Sequence, residues 1–399
     1  MLIPVRPAVA LLIVLTAIFS LQANADQVAL RAFEHLSTDL DASVDDRKRG
    51  EAEIRAFGRN WTLVLAPNRA LLSLLNERAK RSVEADNNLF LSGRVVGVEG
   101  SWARLSRVAG RWSGGFFDGR ELYLIDQAAG LRLPEGRAVE SDRLLVYRFS
   151  DLDLRPILLH EPISFYDKSS NRQTGDYRQF VSHLRELTVL EGEAPLLLPI
   201  TVVTDTQFND RFGVDTAAVV ASRTNFIDGL YSAQLGTGIQ LFHHEPLLSD
   251  GSLTATDAGD LLVQFRSFMR SGSGSNIPFA GLGHLFTARS RDGGIAGIAY
   301  LGVLCNERFG YGVNWNLNNE TTNGLVFAHE VGHNFNAPHD GEGACSNETF
   351  RGIMNPSING SQQFSDCSLV EMSEEVGGAG CLVENPFLED LFSDGFELN

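Results

Sequence analysis

Residues 329–340 read HEVGHNFNAPHD. His329 and His333 are four residues apart, so on a helix they lie one turn apart on the same face, close enough to share one small cation. His339 follows six residues later, which requires the chain to turn back. Asn336 tolerates the left-handed conformation that ends a helix, and the proline two residues on prevents continuation. The spacing predicts a helix, a tight turn and a third imidazole beside the first two.

Three neutral imidazoles with one open position are the ligand set of a catalytic zinc ion, since a closed structural site normally has a fourth protein ligand. Glu330 stands beside the histidine face, where it is placed to take a proton from a water molecule on the metal. His-Glu-x-x-His alone arises by chance in roughly one chain in a hundred of this histidine content. A third histidine at this offset makes coincidence much rarer than that. The alternative is a buried helix whose histidines are satisfied within the core.

The stretch resembles the zinc motif of the metzincin metallopeptidases, and Met354 resembles the methionine of their Met-turn. Asp340, directly after the third histidine, is similar to the adamalysin or reprolysin branch, as are the runs 297–305 and 364–368. The family usually has glycine where this chain has Asn336. Because asparagine also adopts the left-handed conformation, we expect the turn to be preserved.

The resemblance implies a secreted zinc-dependent endopeptidase with one catalytic Zn²⁺, in which Glu330 is the general base for attack of a metal-activated water on an internal peptide bond. The metal ligands it implies are His329, His333 and His339. Met354 would form an apolar floor beneath the imidazoles, and Asp340 would anchor the turn behind them. Residues 354–361 would shape the pocket for the residue after the cleaved bond. The edge strand expected to pair with an extended substrate comprises Gly297, Ile298, Ala299 and Tyr300.

All four cysteines lie in the second half of the chain. In an exported protein they favour disulfides over metal binding, and no Cys-x-x-Cys occurs. Four cysteines allow three connectivities. The resemblance implies the one that joins Cys305 to Cys381 and Cys345 to Cys367.

Charge divides the chain into two halves. Residues 1–195 have 25 Lys and Arg against 26 Asp and Glu, whereas residues 196–399 have 8 Arg, no Lys and 24 Asp and Glu. Such a difference predicts separate domains, and the acidic second half excludes nucleic acid as a partner because it would repel phosphates. Its composition also favours solubility.

The N-terminus predicts export. A basic residue precedes an apolar run over 8–19, and Ala-Asn-Ala at 23–25 is the small-x-small pattern of signal peptidase sites. We therefore assign 1–25 to a signal peptide. The alternative is a membrane anchor, but twelve apolar residues are few for a span, and no span is expected in the mature protein. The expected location is extracellular or periplasmic.

Residues 26–195 are predicted to be a β-rich prosegment. Four alternating runs, 90–99, 101–108, 111–117 and 121–126, are separated by glycine turns, and this meander is similar to the prosegment of adamalysin-type zymogens; a generic β-rich module is the alternative. A helix is expected over 67–85. The prosegment would inhibit its own enzyme, but it has no cysteine for zinc, so latency requires a steric plug or another ligand. The polar stretch 167–193 suits a connector open to proteolysis.

Residues 196–385 are predicted to form a metzincin-like α/β (α+β) catalytic domain, with a mixed twisted sheet, an antiparallel edge strand and the zinc-binding helix. Strands are expected at 197–204, 239–243, 281–288 and 295–303, and helices at 216–230, 257–269 and 322–334. Calcium is not predicted, because Pro199 stands where the family would have an acidic ligand. Residues 386–399 form an acidic and aromatic tail similar to tails on some exported bacterial proteins; a disordered terminus is the alternative.

The sequence is compatible with two other functions. One is a secreted adhesion or toxin-like binding module with zinc but no turnover, against which the presence of Glu330 argues. The other is a zinc peptidase that uses a distant glutamate as third ligand, which His339 makes unnecessary. Polypeptides are the expected substrates in the enzymatic interpretation.

Overall fold

The computed structural model of the chain describes residues 28–44, 49–134, 137, 139–153, 157–164, 179, 181–186, 188, 193–358 and 361–388. The predicted signal peptide, most of the predicted connector and the end of the tail lie outside these residues. No helix in the described ranges is both long and apolar enough to cross a membrane.

The first half is built around an eight-stranded antiparallel sheet in the order β2-β10-β8-β7-β6-β5-β4-β3. The four predicted strands of the meander are β5 to β8 of this sheet. The elements of this half are β1 (Val28–Leu30), β2 (Glu34–His35), α1 (Leu40–Ser43), β3 (Gly50–Ala56), β4 (Arg59–Pro67), α2 (Glu77–Val83), β5 (Leu89–Val95), β6 (Trp102–Val108), β7 (Arg111–Phe117), β8 (Leu122–Gln127), β9 (Leu131–Arg132), β10 (Leu144–Arg148), β11 (Leu152–Asp153) and β12 (Ile157–Leu158).

The helix expected over 67–85 is wrong for most of its length. Pro67 is the last residue of β4, and only Glu77–Val83 is helical. Asn68 ends the strand: its side-chain oxygen accepts a hydrogen bond from the Leu71 amide, which closes a turn. Several leucines of this segment pack in the core, although the segment that carries them is not an α-helix.

The second half contains a mixed sheet in the order β14-β13-β15-β17-β16, with β19 also paired to β13. Neighbours on the main path are parallel except β16, which runs antiparallel to β17 at the edge. The elements of this half are β13 (Leu196–Thr204), α3 (Thr206–Phe212), α4 (Thr216–Leu235), β14 (Thr237–Pro246), α5 (Ala258–Ser271), β15 (Leu282–Thr287), β16 (Gly297–Ala299), β17 (Tyr311–Trp315), α6 (Glu320–Asn334), β18 (Ser357–Ile358), α7 (Asp366–Gly378) and β19 (Val383–Glu384).

Helices cover both faces of this sheet. On one face the apolar side of α5, including Leu261 and Phe265, packs with Val313 and Trp315 of β17. On the other face α4 and α6 share a core, so the helix that carries the histidine motif packs against both the sheet and α4. This burial fixes α6 on a rigid support.

The two halves share one core and a buried polar interface. Trp102 and Tyr147 of the first half belong to the same apolar cluster as Phe226 of α4. Beside this cluster Arg104 Nε donates to Asp228 Oδ2 at 2.7 Å, and both side chains are almost fully buried. Removal of one partner of such a pair costs about 3–5 kcal/mol, because the other charge is left buried and unpaired. The first half is therefore docked firmly on α4.

Candidate active site

Helix α6 places two histidines on one face. Its N-terminus is capped by Asn319, whose side chain accepts from the Thr322 amide at 2.9 Å. The rings of His329 and His333 lie 4.5 Å apart, as expected for neighbours one turn apart. The three residues named in the motif as ligands are all buried.

The chain turns back directly after α6. Asn336 has φ of 79°, the left-handed conformation expected from the sequence, and its side-chain amide donates to Glu371 at 2.9 Å. His339 is thereby returned to the site, with its ring 5.2 Å from that of His329 and 4.9 Å from that of His333. The asparagine in place of the usual glycine is compatible with this turn.

The three imidazoles direct their Nε2 atoms toward one another. Among the described residues, the three histidines form a cluster whose candidate ligand atoms lie within 4.8 Å of one another, and their Nε2 atoms have no hydrogen-bond partner there. Unpaired buried nitrogens are costly unless a ligand binds them. Three imidazole nitrogens that converge in this way fit a zinc ion.

Two of the rings are oriented by the main chain. His329 Nδ1 lies 2.7 Å from the Ile353 carbonyl oxygen, and His333 Nδ1 lies 2.7 Å from that of Ala337. A hydrogen on Nδ1 donates to each carbonyl, so the lone pair of Nε2 faces the site. Burial lowers the pKa of His329 to about 3 and the pKa of His333 well below its usual value, which keeps both imidazoles neutral.

His339 is oriented differently. Its Nδ1 lies 3.2 Å from Glu161 Oε1 and 3.3 Å from Glu342 Oε2. Neither glutamate was predicted as a site residue. Glu342 follows the third histidine by three residues and was within reach of sequence reasoning, whereas Glu161 comes from the first half, and nothing in the motif indicates it.

Glu330 lies between the imidazoles and the edge strand. It is fully buried, and its two carboxylate oxygens have no hydrogen-bond partner among the described residues. Gly297 has no side chain and so leaves space for the Glu330 carboxylate. A Cβ at position 297 would lie 2.2 Å from Glu330 Oε1. Burial raises the pKa of Glu330 well above its usual value. This carboxylate is poised to take and hold a proton.

Met354 and Asp340 support the site from behind. Met354 is fully buried, and a Cβ on Gly332 would come within 2.5 Å of its sulfur, so the methionine packs directly against α6. Asp340 accepts from the Gly352 amide at 2.6 Å and from the hydroxyl of Ser365 at 2.6 Å. Asp340 thus joins the loop after His339 to the segment that carries Met354.

Both disulfides lie in the second half. The structure pairs Cys305 with Cys381 and Cys345 with Cys367, which is the connectivity that the family resemblance implied. The second bridge joins the loop after His339 to the start of α7. It restrains the segment on which the third histidine depends.

A segment of the first half runs along the edge strand. Residues 157–164, which we name the cleft segment, are parallel to residues 296–301. Main-chain hydrogen bonds join the cleft segment to these residues. Ala296 N donates to Leu158 O at 2.9 Å. Three further bonds are 3.1 Å long: His160 N to Gly297 O, Ile163 N to Ala299 O and Leu301 N to Ile163 O.

The cleft segment also contacts residues 356–358, on the side opposite the edge strand. The Leu159 amide donates to the Pro356 carbonyl at 3.1 Å, and Ile157 and Leu158 pair with β18. The Leu159 side chain is buried in the core that contains Met354 and Ile358. The cleft segment therefore fills the space between the edge strand and the predicted pocket segment, of which residues 359 and 360 lie outside the described residues.

Other histidines of the second half have structural roles. His284 in β15 is buried between the side-chain oxygens of Asn314 and Asn334, each 2.9 Å from a ring nitrogen. Asn334 in turn donates to the Tyr300 carbonyl at 2.9 Å, which ties the end of α6 to the edge strand. His284 thus supports the site without facing it.

Comparison with known proteins agrees with this geometry. Residues 198–365 match Reprolysin_5, the Metallo-peptidase family M12. The chain is 28% identical over 211 residues to "Disintegrin and metalloproteinase domain-containing protein 9" of Homo sapiens, covering 48% of this chain and 24% of that protein. It is 34% identical over 98 residues to "Disintegrin and metalloproteinase domain-containing protein adm-2" of Caenorhabditis elegans, covering 24% of this chain and 10% of that protein.

The chain thus spans a quarter or less of the length of these two relatives. All of the histidine motif lies within the matched region. The matches show that the second half of the chain is similar to reprolysin-like metallopeptidases.

Proposed function

We propose that this chain is a secreted zinc-dependent endopeptidase that cleaves internal peptide bonds of proteins and is made as a zymogen. The observation that carries the proposal is the meeting of three buried, unpaired Nε2 atoms beside an unpaired buried carboxylate, Glu330. A ligand set with an open position together with a proton acceptor is what hydrolysis requires. Export rests on the predicted signal peptide, 1–25.

His329, His333 and His339 would hold the zinc ion through Nε2. When bound there, zinc supplies Lewis acidity toward water and the scissile carbonyl. Glu330 accepts a proton from the attacking water on a carboxylate oxygen and passes it to the nitrogen of the leaving amine. The raised pKa of Glu330 stabilises the intermediate, protonated form. The main chain of Gly297 and Ala299 holds an extended substrate by hydrogen bonds.

A binding module with zinc but no turnover is not favoured. Such a protein would not need a buried carboxylate with no partner among the described residues, and burial of that unpaired group costs free energy of folding. In an enzyme the same cost is offset by catalysis, because strained or desolvated groups cluster at functional sites.

We further propose that the cleft segment is what makes the zymogen latent. It uses main-chain groups of Gly297 and Ala299, the groups that a substrate would use. It also occupies both walls of the cleft, so no cysteine is needed. Latency in this chain is steric, reinforced by the contact between Glu161 and His339.

His160→Pro is expected to raise the proteolytic activity of the full chain by at least about tenfold. The substitution removes the amide that donates to Gly297, and each lost hydrogen bond costs about 0.5–1.5 kcal/mol plus the steric misfit of the ring. His160→Ala is the matched control, since it removes the same side chain but keeps the amide. Hydrolysis of labelled casein by the two variants measures the difference; equal activities would contradict the role of the cleft segment.

The enzymatic proposal is tested by metal removal. Casein hydrolysis is measured for the full chain and for His160→Pro before dialysis against a chelator, after it, and after addition of one equivalent of Zn²⁺. We expect activity to disappear on chelation and to return with zinc, because three protein ligands leave the ion exchangeable. Zinc-loaded protein that cleaves nothing in either form would refute the proposal.

A further inference from the structure

The three proposed zinc ligands differ in what orients them. Nδ1 of His329 and of His333 meets a main-chain carbonyl at 2.7 Å, which no substitution of a side chain removes. Nδ1 of His339 instead meets two side-chain carboxylates, at 3.2 Å from Glu161 and 3.3 Å from Glu342. The orientation of the third ligand therefore depends on side chains, and one of these belongs to the cleft segment.

The distances of 3.2 Å and 3.3 Å from His339 Nδ1 fit one hydrogen that is shared by the carboxylates of Glu161 and Glu342. A neutral imidazole with its Nε2 lone pair toward the zinc site has a single hydrogen, on Nδ1. Charge-assisted hydrogen bonds with one donor and one acceptor are normally about 2.7–2.9 Å long. Glu161 and Glu342 thus divide the one hydrogen of His339.

The same atoms are also spaced for a cation, since Glu161, His339 and Glu342 form a second cluster within 4.8 Å. A cation there together with zinc on Nε2 would require His339 to lose its last hydrogen. The glutamate side chains are 66% and 44% exposed, so they are solvated without an ion. Hydrogen bonding accounts for the arrangement with the imidazole in its ordinary neutral form.

The turn after His339 brings Glu342 to this place independently of the first half. The Glu342 amide donates to the His339 carbonyl at 3.0 Å, which closes a tight turn and puts the glutamate side chain back over the ring. Departure of the cleft segment would remove Glu161 but leave this turn intact.

We propose that Glu342 is the positioning residue for the third zinc ligand, and that Glu161 shares its role only while the cleft segment is in place. The inference rests on the proposed zinc site. With the cleft segment bound, either carboxylate holds His339; after its release, Glu342 alone does. Carboxylate partners of ligating histidines fix the ring and raise its basicity, and their loss typically costs about 10–100-fold in metal affinity.

The test measures zinc affinity, by competition with a chromophoric chelator, for the full chain and for Glu161→Ala, Glu342→Ala and the double variant. We expect each single variant to bind zinc less than about tenfold more weakly than the parent, and the double variant about 10–100-fold more weakly. In the His160→Pro background, Glu342→Ala alone should approach the loss of the double variant. Glu342→Gln, which keeps an acceptor oxygen, should recover part of the affinity.

Glu348→Ala is the matched control, because its carboxylate lies in the same loop and accepts from the Phe350 amide but does not contact His339. Thermal unfolding of the zinc-free variants shows whether folding is intact; if the double alanine variant unfolds, Glu342→Ala in the His160→Pro background is measured instead. A double variant that binds zinc within about twofold of the parent would overturn the inference. Failure of the proposed function has a different signature, namely a His160→Pro chain that binds zinc but cleaves no protein.

Discussion

Glu330→Gln is expected to lower kcat/KM for casein hydrolysis by about 10²–10⁴-fold, the usual contribution of a general acid–base group. Glutamine has the same shape as glutamate, so it fits the space that Gly297 leaves beside it. Its amide cannot accept the proton of the attacking water. The comparison is best made in the His160→Pro background, where both proteins are free of latency, and zinc content should be unchanged because Glu330 is not a ligand.

The control for this prediction is the zinc affinity of the variant. Glutamine has the shape of glutamate and carries no charge to bury, so the neutral amide should be tolerated at this buried position without loss of stability. If Glu330→Gln kept its zinc and also kept the parent rate, Glu330 would not be the proton acceptor. If it lost zinc, its carboxylate would instead have a role in metal binding.

The geometry of the proposed zinc site could be predicted from the sequence because it is local. Four-residue spacing on a helix decides which side chains share a face, and an asparagine with proline two residues later decides where the helix ends. The structure has α6 ending at Asn334 and Asn336 in the left-handed conformation. Short-range rules suffice where each residue is constrained by neighbours a turn away.

The contacts between the two halves could not be predicted, because the residues that make them are far apart in the sequence. Glu161 meets His339 across 178 residues, and Asn68 donates to Asn225 across 157. Apolar periodicity carries no information about such contacts. The error over 67–85 has a local origin: its leucines were interpreted as one face of a helix, whereas Asn68 closes a turn by accepting from the Leu71 amide.

The packing of the two halves against each other could also not be predicted from the sequence. Their charge difference predicts separate domains, and the sheets are indeed separate. Their cores are continuous, however, and Arg104 is paired with Asp228 inside the interface. Cleavage of the connector would therefore leave the first half bound to α4. Under the proposed latency, release of the cleft segment, rather than cleavage alone, would expose the site.

Asp340→Ala is expected to lower the free energy of unfolding by about 3 kcal/mol, the largest effect on stability that we expect from a single substitution near the site. The carboxylate is buried and accepts from the Gly352 amide at 2.6 Å, from the Ser365 hydroxyl at 2.6 Å and from the Ser368 hydroxyl at 3.2 Å. Alanine leaves the amide without a partner. The hydroxyls lose less, since Ser365 also donates to Ser368.

Urea unfolding in the presence of a chelator measures this effect without the contribution of zinc binding, which would otherwise add to the stability of the folded state. Asp340→Asn should lose less than alanine, because one oxygen still accepts from the serines while its amide opposes that of Gly352. Ser368→Ala, which removes the longest of the three contacts to Asp340 and the acceptor of the Ser365 hydroxyl, should lose about 1 kcal/mol or less. Should Asp340→Ala unfold at the same urea concentration as the parent, the loop that holds His339 would have to be fixed by the Cys345–Cys367 bridge alone.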